Sequence, residues 1–157
     1  SFHKGRVLLG GENRGVHSLE PILTDGVWSV TAHWSQRKVA LDMSSAVMNG
    51  DLLYGFSHFG RGRFFCLDPK TGKVLWQGPE RTGENVTFLS IPGHILALLN
   101  NGELQVIAAR ANRYEKIASW RVAETPTWAP PVMLQSGILI KAKETLTFWA
   151  LEDAGLN

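Results

Sequence analysis

The 157 residues contain a single cysteine, Cys66. One thiol cannot close an internal disulfide, so no disulfide framework holds this chain together. Cys66 sits in the apolar run Phe64-Phe65-Cys66-Leu67, which predicts a buried structural thiol. Long apolar runs are also missing. The longest, Ile95-Leu96-Ala97-Leu98-Leu99, has five residues, against the roughly 20 that a membrane-spanning helix needs. The chain opens on Ser1-Phe2-His3-Lys4-Gly5 without a leader pattern, as a mature or cut chain would.

Charge of one sign is scarce. Sixteen Lys and Arg stand against fourteen Asp and Glu, a formal charge of +2. The basic residues are scattered, and the local pair Arg61 and Arg63 is broken by glycine and followed by Phe64 and Phe65. This gives no basic face of the kind that binds nucleic acid. Motifs that carry chemistry are missing as well. The five histidines, His3, His17, His33, His58 and His94, share no metal-type spacing. There is no G-x-S-x-G nucleophile elbow and no phosphate-cradling glycine motif. The carboxylates Asp25, Asp42, Asp51, Asp68, Glu84 and Glu103 are spread thinly, with no acidic cluster for Ca²⁺ and its six to eight oxygen ligands. The sequence therefore assigns no catalytic, cofactor-binding or metal-binding residue, and no cofactor.

What is present is glycine, at sixteen residues, and tryptophan, at six. Glycines and aromatics without long helical patterns point to all-β structure with frequent turns. They also recur. Gly5, Gly50, Gly93 and Gly137 are 45, 43 and 44 residues apart, and each precedes a short apolar run. Trp34, Trp76 and Trp120 follow in the same register, 42 and 44 residues apart. Periods of this length mark repeat architectures.

One unit, from Ser44 to Trp76, reads as four short strands. Ser45-Ala46-Val47-Met48 and Leu52 to Phe56 are joined at Asn49-Gly50, a type I′ hairpin pair. Phe64 to Leu67 follows a glycine-containing loop. Asp68-Pro69-Lys70-Thr71-Gly72 makes a tight turn, and Lys73 to Trp76 is the fourth strand. Four antiparallel strands in about 44 residues is a propeller blade. The next unit repeats the plan, with Asn101-Gly102 as a second type I′ pair. Glu103 to Ala118 carries two readings. Its Ala, Glu, Arg and Lys content and the spacing of Leu104, Ile107, Ala108 and Ala111 suit an amphipathic helix, whereas the repeat register asks for two strands and a loop. The register is the better guide.

The expectation is an all-β propeller of about four blades, approximately 1–41, 42–82, 83–125 and 126–157. The first blade is expected to lack its innermost strand and the last its outermost, for about fourteen strands. Open edges at both ends invite pairing.

The segment Cys66-Leu67-Asp68-Pro69-Lys70-Thr71-Gly72-Lys73-Val74-Leu75-Trp76 resembles the tryptophan-docking motif of pyrroloquinoline-quinone-like (PQQ-like) β-propeller repeats, A-x-D-x-x-T-G-x-x-x-W, with Cys66 for the leading Ala. Ser44 to Gly50 and Trp128 to Met133 are similar to the inner-strand consensus of the same family. The motif is complete in one copy. The third copy has lost its Asp and Gly, and the first carries an insertion around Pro21 to Gly26.

The resemblance implies that Asp68 and Gly72 shape a docking turn and that Trp34, Trp76 and Trp120 pack between blades. It implies the C-terminal half of a longer propeller, in a periplasmic or secreted protein. The family has a non-catalytic, BamB-like branch of binding scaffolds and a branch of quinoprotein dehydrogenases. The vicinal cysteine pair of many quinoprotein alcohol dehydrogenases is absent here. The reading is a non-catalytic scaffold for a protein partner or for the remaining blades of its own ring. The alternatives are part of a quinoprotein whose site other blades complete, and a half-propeller that pairs with itself through its open edges. Ser44, Asn85 and Trp128 occupy roughly equivalent positions before inner strands and are the candidate funnel or partner contacts. Asn85-Val86-Thr87 also fits a glycosylation sequon.

Overall fold

Apolar residues in this chain come in runs of four or five that are continuous rather than alternating, as in strands covered on both faces. The computed structural model bears this out over the residues it describes, 1–41 and 43–151. Fifteen strands and no helix occur among them. The first sheet holds β1 (Phe2–His3), β2 (Arg6–Gly11), β3 (Gly15–Thr24) and β4 (Val27–Gln36). The second holds β5 (Val47–Asn49), β6 (Leu52–Ser57), β7 (Arg63–Leu67) and β8 (Val74–Gln77). The third holds β9 (Val86–Ile91), β10 (His94–Leu99), β11 (Glu103–Ala108) and β12 (Lys116–Arg121). The fourth holds β13 (Val132–Leu134), β14 (Gly137–Lys141) and β15 (Leu146–Ala150). Each sheet is an antiparallel meander in chain order, the blade of a propeller.

The core lies in the seams between blades. Strand alternation sends neighbouring residues to opposite faces. In the second blade, Leu53, Phe65 and Leu67 face the first blade and meet Leu8 and Val16 there, together with Val39 and Leu41 of the connection. Their neighbours Tyr54, Phe56, Phe64 and Cys66 face the third blade and meet Val86, Ile95, Ala97 and Leu99. The third seam is built from Leu96, Leu98 and Leu104 against Ile138 and Ile140. Cys66 is a free thiol, fully buried in the second seam.

The first blade departs from expectation. It has its innermost strand, in the two-residue β1, where Phe2 pairs with Val7 and His3 with Arg6. The pattern was too short to register as a strand. Three strands of the fourth blade fall among the described residues. The two hairpins expected to be type I′ differ as well. At Asn49-Gly50 the strand runs on through Asn49, which pairs with Leu52, and Gly50 alone has positive φ, as a type II′ turn requires. At Asn101-Gly102 only Gly102 has positive φ, at 88°, and its amide closes the turn on the Leu99 carbonyl. The type I′ signature occurs instead at Lys4-Gly5 and Asp25-Gly26, where both central residues are left-handed. Residues 103–118 form strand, loop and strand, so repeat register overrode local helix propensity.

The insertion in the first copy is a continuation of the β3–β4 hairpin. Glu20 to Thr31 runs on past the reach of β2 and turns at Asp25-Gly26. Its cross-strand pairs include Pro21 with Val30 and Leu23 with Trp28. These four residues are exposed.

Candidate functional site

Two of the three tryptophans that recur in register, Trp34 and Trp76, reach the next blade, in a direction that the sequence leaves open. Trp34, on β4, donates its indole N–H to the Pro69 carbonyl in the β7–β8 turn of the next blade, at 3.0 Å. Gln36 reaches the same turn and donates to the Gly72 carbonyl at 2.9 Å. The Asp68-to-Gly72 turn therefore receives the indole of the preceding blade, not that of its own Trp76. Asp68 holds the turn by accepting from the Lys70 amide at 2.9 Å and the Thr71 hydroxyl at 2.8 Å. Burial alone would raise its carboxyl. These hydrogen bonds and the nearby Lys70 ammonium outweigh that and hold it below the ordinary carboxylate range. Gly72, with φ of 72°, supplies the left-handed step that ends the turn.

Trp76 repeats the arrangement one blade on and donates to the Arg110 carbonyl at 2.7 Å. Its ring lies between Tyr54 and Tyr114, with centroids 5.9 and 5.6 Å away. Tyr114 reaches it from the β11–β12 loop and also stacks on Phe64. The sequence reading missed Tyr114, whose signal was a lone aromatic inside a charged, helix-like stretch. Trp120, the third in register, is half exposed, at 55 %. It lines an apolar cleft of about 390 Å³ with Leu104, Val122, Ile138 and Trp149. Trp149, outside the repeat register, donates to the Val122 carbonyl at 3.2 Å.

The three positions before inner strands divide two to one. Ser44 and Asn85 are buried and bonded to each other across the second seam. The Ser44 hydroxyl donates to Asn85 Oδ1 at 2.7 Å and accepts from the Val86 amide at 3.1 Å. Their polar groups are committed to the seam, and a buried Asn85 side chain leaves no room for a glycan. Trp128 is 60 % exposed. It lines a shallow depression with Pro126, Ala129, Lys141, Ala142 and Lys143, where Lys141 is tethered by donating to the Lys143 carbonyl at 2.9 Å. The exposed indole and two lysine side chains therefore share one patch of surface.

Donor groups for a quinone with Ca²⁺ do not converge among the described residues. Asp25 sits at the tip of the β3–β4 hairpin, and Asp51 pairs with Lys4 at 3.6 Å. Asp68 is tied into its own turn, and Glu103 lies beside Lys116 at 3.8 Å on the third blade. Asp42 lies outside the described residues. No group of three His, Cys, Asp or Glu side chains among the described residues could hold a metal ion. The described residues do not fit a cluster of six oxygen ligands. No helix among the described residues is long and apolar enough to cross a membrane.

By architecture the chain is an all-β propeller segment of four blades. Solved structures share that fold. The chain is similar to the computationally designed Ika4 protein, with a TM-score of 0.61 and 15 % identity over 96 % of this chain and 88 % of that one. It is similar to BamB from Moraxella catarrhalis, with a TM-score of 0.56 and 13 % identity over 100 % of this chain and 58 % of that one. For the designed Ika8 protein the TM-score is 0.53 and the identity 11 %, over 96 % of this chain and 57 % of that one. The chain thus spans somewhat over half the length of BamB and Ika8. No protein-family model matches the chain. No curated protein matches it by sequence.

Proposed function

We propose that this chain is a PQQ-like repeat propeller segment that serves as a non-catalytic scaffold, in an exported protein, and holds a protein partner on its surface. The observation that carries the reading is how the polar groups are used. Asp68, Ser44 and Asn85 are bonded within turns and seams. Among the large side chains left exposed are aromatic and aliphatic ones, Trp128 and Trp28 included. A series of packed seams with unengaged aromatic contacts suits binding better than bond-making. The resemblance of the Asp68-to-Trp76 segment to the docking motif, and the shared fold with BamB, support the same branch.

Photo-crosslinking from position 128 in the source cells tests this. A discrete protein adduct that disappears when Lys141 is reversed to Glu supports the scaffold. No adduct, together with saturable binding of pyrroloquinoline quinone and Ca²⁺ by the natural-length protein, would replace it with the quinoprotein reading.

A further inference from the structure

The β3–β4 hairpin stands clear of the blades. Val7, Leu53 and Ile95 are each the second residue of their strand, and they pair with Leu19, Leu67 and Ile107. In the second and third blades the third strand stops there or one residue later, at Leu67 and Ala108. In the first blade β3 runs on from Leu19 to Thr24. Five cross-strand pairs, from Glu20 with Thr31 to Thr24 with Val27, have no third strand beside them. At the rise of a β-strand this is an arm of about 17 Å. The second blade meets β4 at Trp34 and Gln36 and leaves residues 21–33 exposed. A neighbour of ordinary strand length on the other side stops at the same height. The outer part of the arm therefore clears the blades whether or not a further blade precedes the first.

Alternation gives the arm two unlike faces. Pro21, Leu23, Trp28 and Val30 share one of them, Pro21 paired with Val30 and Leu23 with Trp28. The opposite face mixes Ile22 and Val27 with Glu20, Thr24, Ser29 and Thr31. On the apolar face Trp28 is 67 % exposed and Val30 63 %. Two strands have nothing of their own to cover it with. Charge narrows what can. No Lys or Arg occurs from Gly15 to Gln36. Glu20 is engaged by His33 at 2.6 Å, which leaves the exposed Asp25 as the charge at the tip.

We propose that the Pro21, Leu23, Trp28 and Val30 face docks in an apolar groove of a partner protein, and that a Lys or Arg of that partner meets Asp25 at the groove's end. The inference rests on the scaffold reading and gives it a surface and a partner chemistry. Trp28 is the anchor, a large aromatic side chain beside Leu23 at the centre of the face. The face makes the contact, not the strand edge. Pro21 has no N–H to offer a strand added along the free side of β3. A lipid surface is the poorer match, because a carboxylate leads the tip and no Lys or Arg stands near to meet the head groups.

A photoreactive benzophenone side chain placed singly at positions 23, 29 and 30 of the natural-length protein, in its source cells, tests this. Positions 23 and 30 are expected to give one protein adduct, and position 29, on the opposite face, little or none. Trp28→Ala and Asp25→Lys are each expected to reduce the adduct from position 30 by about tenfold or more. Mass mapping of the adduct is expected to place the crosslink on an apolar segment with a Lys or Arg beside it. All of these positions are exposed, and far-ultraviolet circular dichroism reports whether each variant keeps its fold. Equal adducts from 29 and 30 overturn the one-faced contact. An adduct that survives Asp25→Lys overturns the basic groove. Adducts to lipid, to a second copy, or to another part of the same chain replace the partner protein and overturn the inference, and so does the absence of any adduct. The crosslink from position 128 reads a different surface. An adduct there with none from the arm sinks this inference and leaves the scaffold reading intact.

Discussion

The indole of Trp34 lies directly over Gly72, so close that a Cβ built there would come within 2.5 Å of ring atom Cε3. Gly72 is therefore held by two constraints, its φ of 72° and the ring. Gly93 has nearly the same φ, 73°, but nothing within 4 Å of a Cβ. The pair separates the two effects. Gly93→Ala is expected to cost about 1–2 kcal/mol, the backbone strain alone. Gly72→Ala adds a further loss of about 1–3 kcal/mol from overpacking. Urea unfolding midpoints measure both. Equal losses would show that the ring yields freely and that the first seam is not fixed by this contact.

Trp76 makes a second separable case. Its hydrogen bond to the Arg110 carbonyl and its ring contacts with Tyr54 and Tyr114 occur together. Trp76→Phe keeps an aromatic ring and leaves the carbonyl without its partner, an expected loss of about 1–3 kcal/mol. Trp76→Ala removes the ring as well and is expected to cost about 3–5 kcal/mol. Denaturant titration of the two variants distinguishes them. Similar losses would mean that the hydrogen bond, not the packing, holds the second seam.

Period and turn chemistry made the fold legible. Glycines spaced 45, 43 and 44 residues apart set the blade length, and the Asp68-to-Gly72 turn appeared where it was expected. Exact turn types were less legible. Asn-Gly pairs are compatible with several turns, and pairing of Asn49 with Leu52 decided between them. Strand β1 was invisible because two residues carry no period. The direction of tryptophan docking was also hidden. Trp76 follows its own turn in sequence, but the indole that the turn receives is Trp34, 38 residues earlier than Gly72. Among the candidate contacts, Ser44, Asn85 and Trp128 look alike by position. Whether a side chain is buried at a seam depends on the neighbouring blade, which no local pattern reports.

Ser44 tests that distinction. Its hydroxyl serves both Asn85 and the Val86 amide in a buried site. Ser44→Ala leaves two buried polar groups without partners and is expected to cost about 1–3 kcal/mol. Crosslinking from position 128 is expected to be unchanged, because Ser44 works inside the seam. A stable Ser44→Ala protein that loses the crosslink would move Ser44 to the contact surface.

The buried pair Tyr54 and Cys66 predicts an alkaline limit. They are directly paired across β6 and β7. Burial pushes the Cys66 thiol up to about 12 from its usual 9.0 and pushes the Tyr54 phenol up as well. In the folded chain both groups keep their protons at a pH where the unfolded chain has released them. Their contribution is complete below about pH 9 and is lost as pH rises from there toward 12. Urea midpoints are therefore expected to fall progressively above pH 9. Cys66→Val removes one titrating group and fills the site with an apolar side chain of similar size. Its decline should be shallower over the same range, and Tyr54→Phe should flatten it further. The thiol should also resist alkylation at pH 8 until denaturant is added, because the thiolate is the reactive form. Parallel pH profiles for the parent and Cys66→Val would mean that the thiol ionises elsewhere or not at all, and that the alkaline limit belongs to other groups.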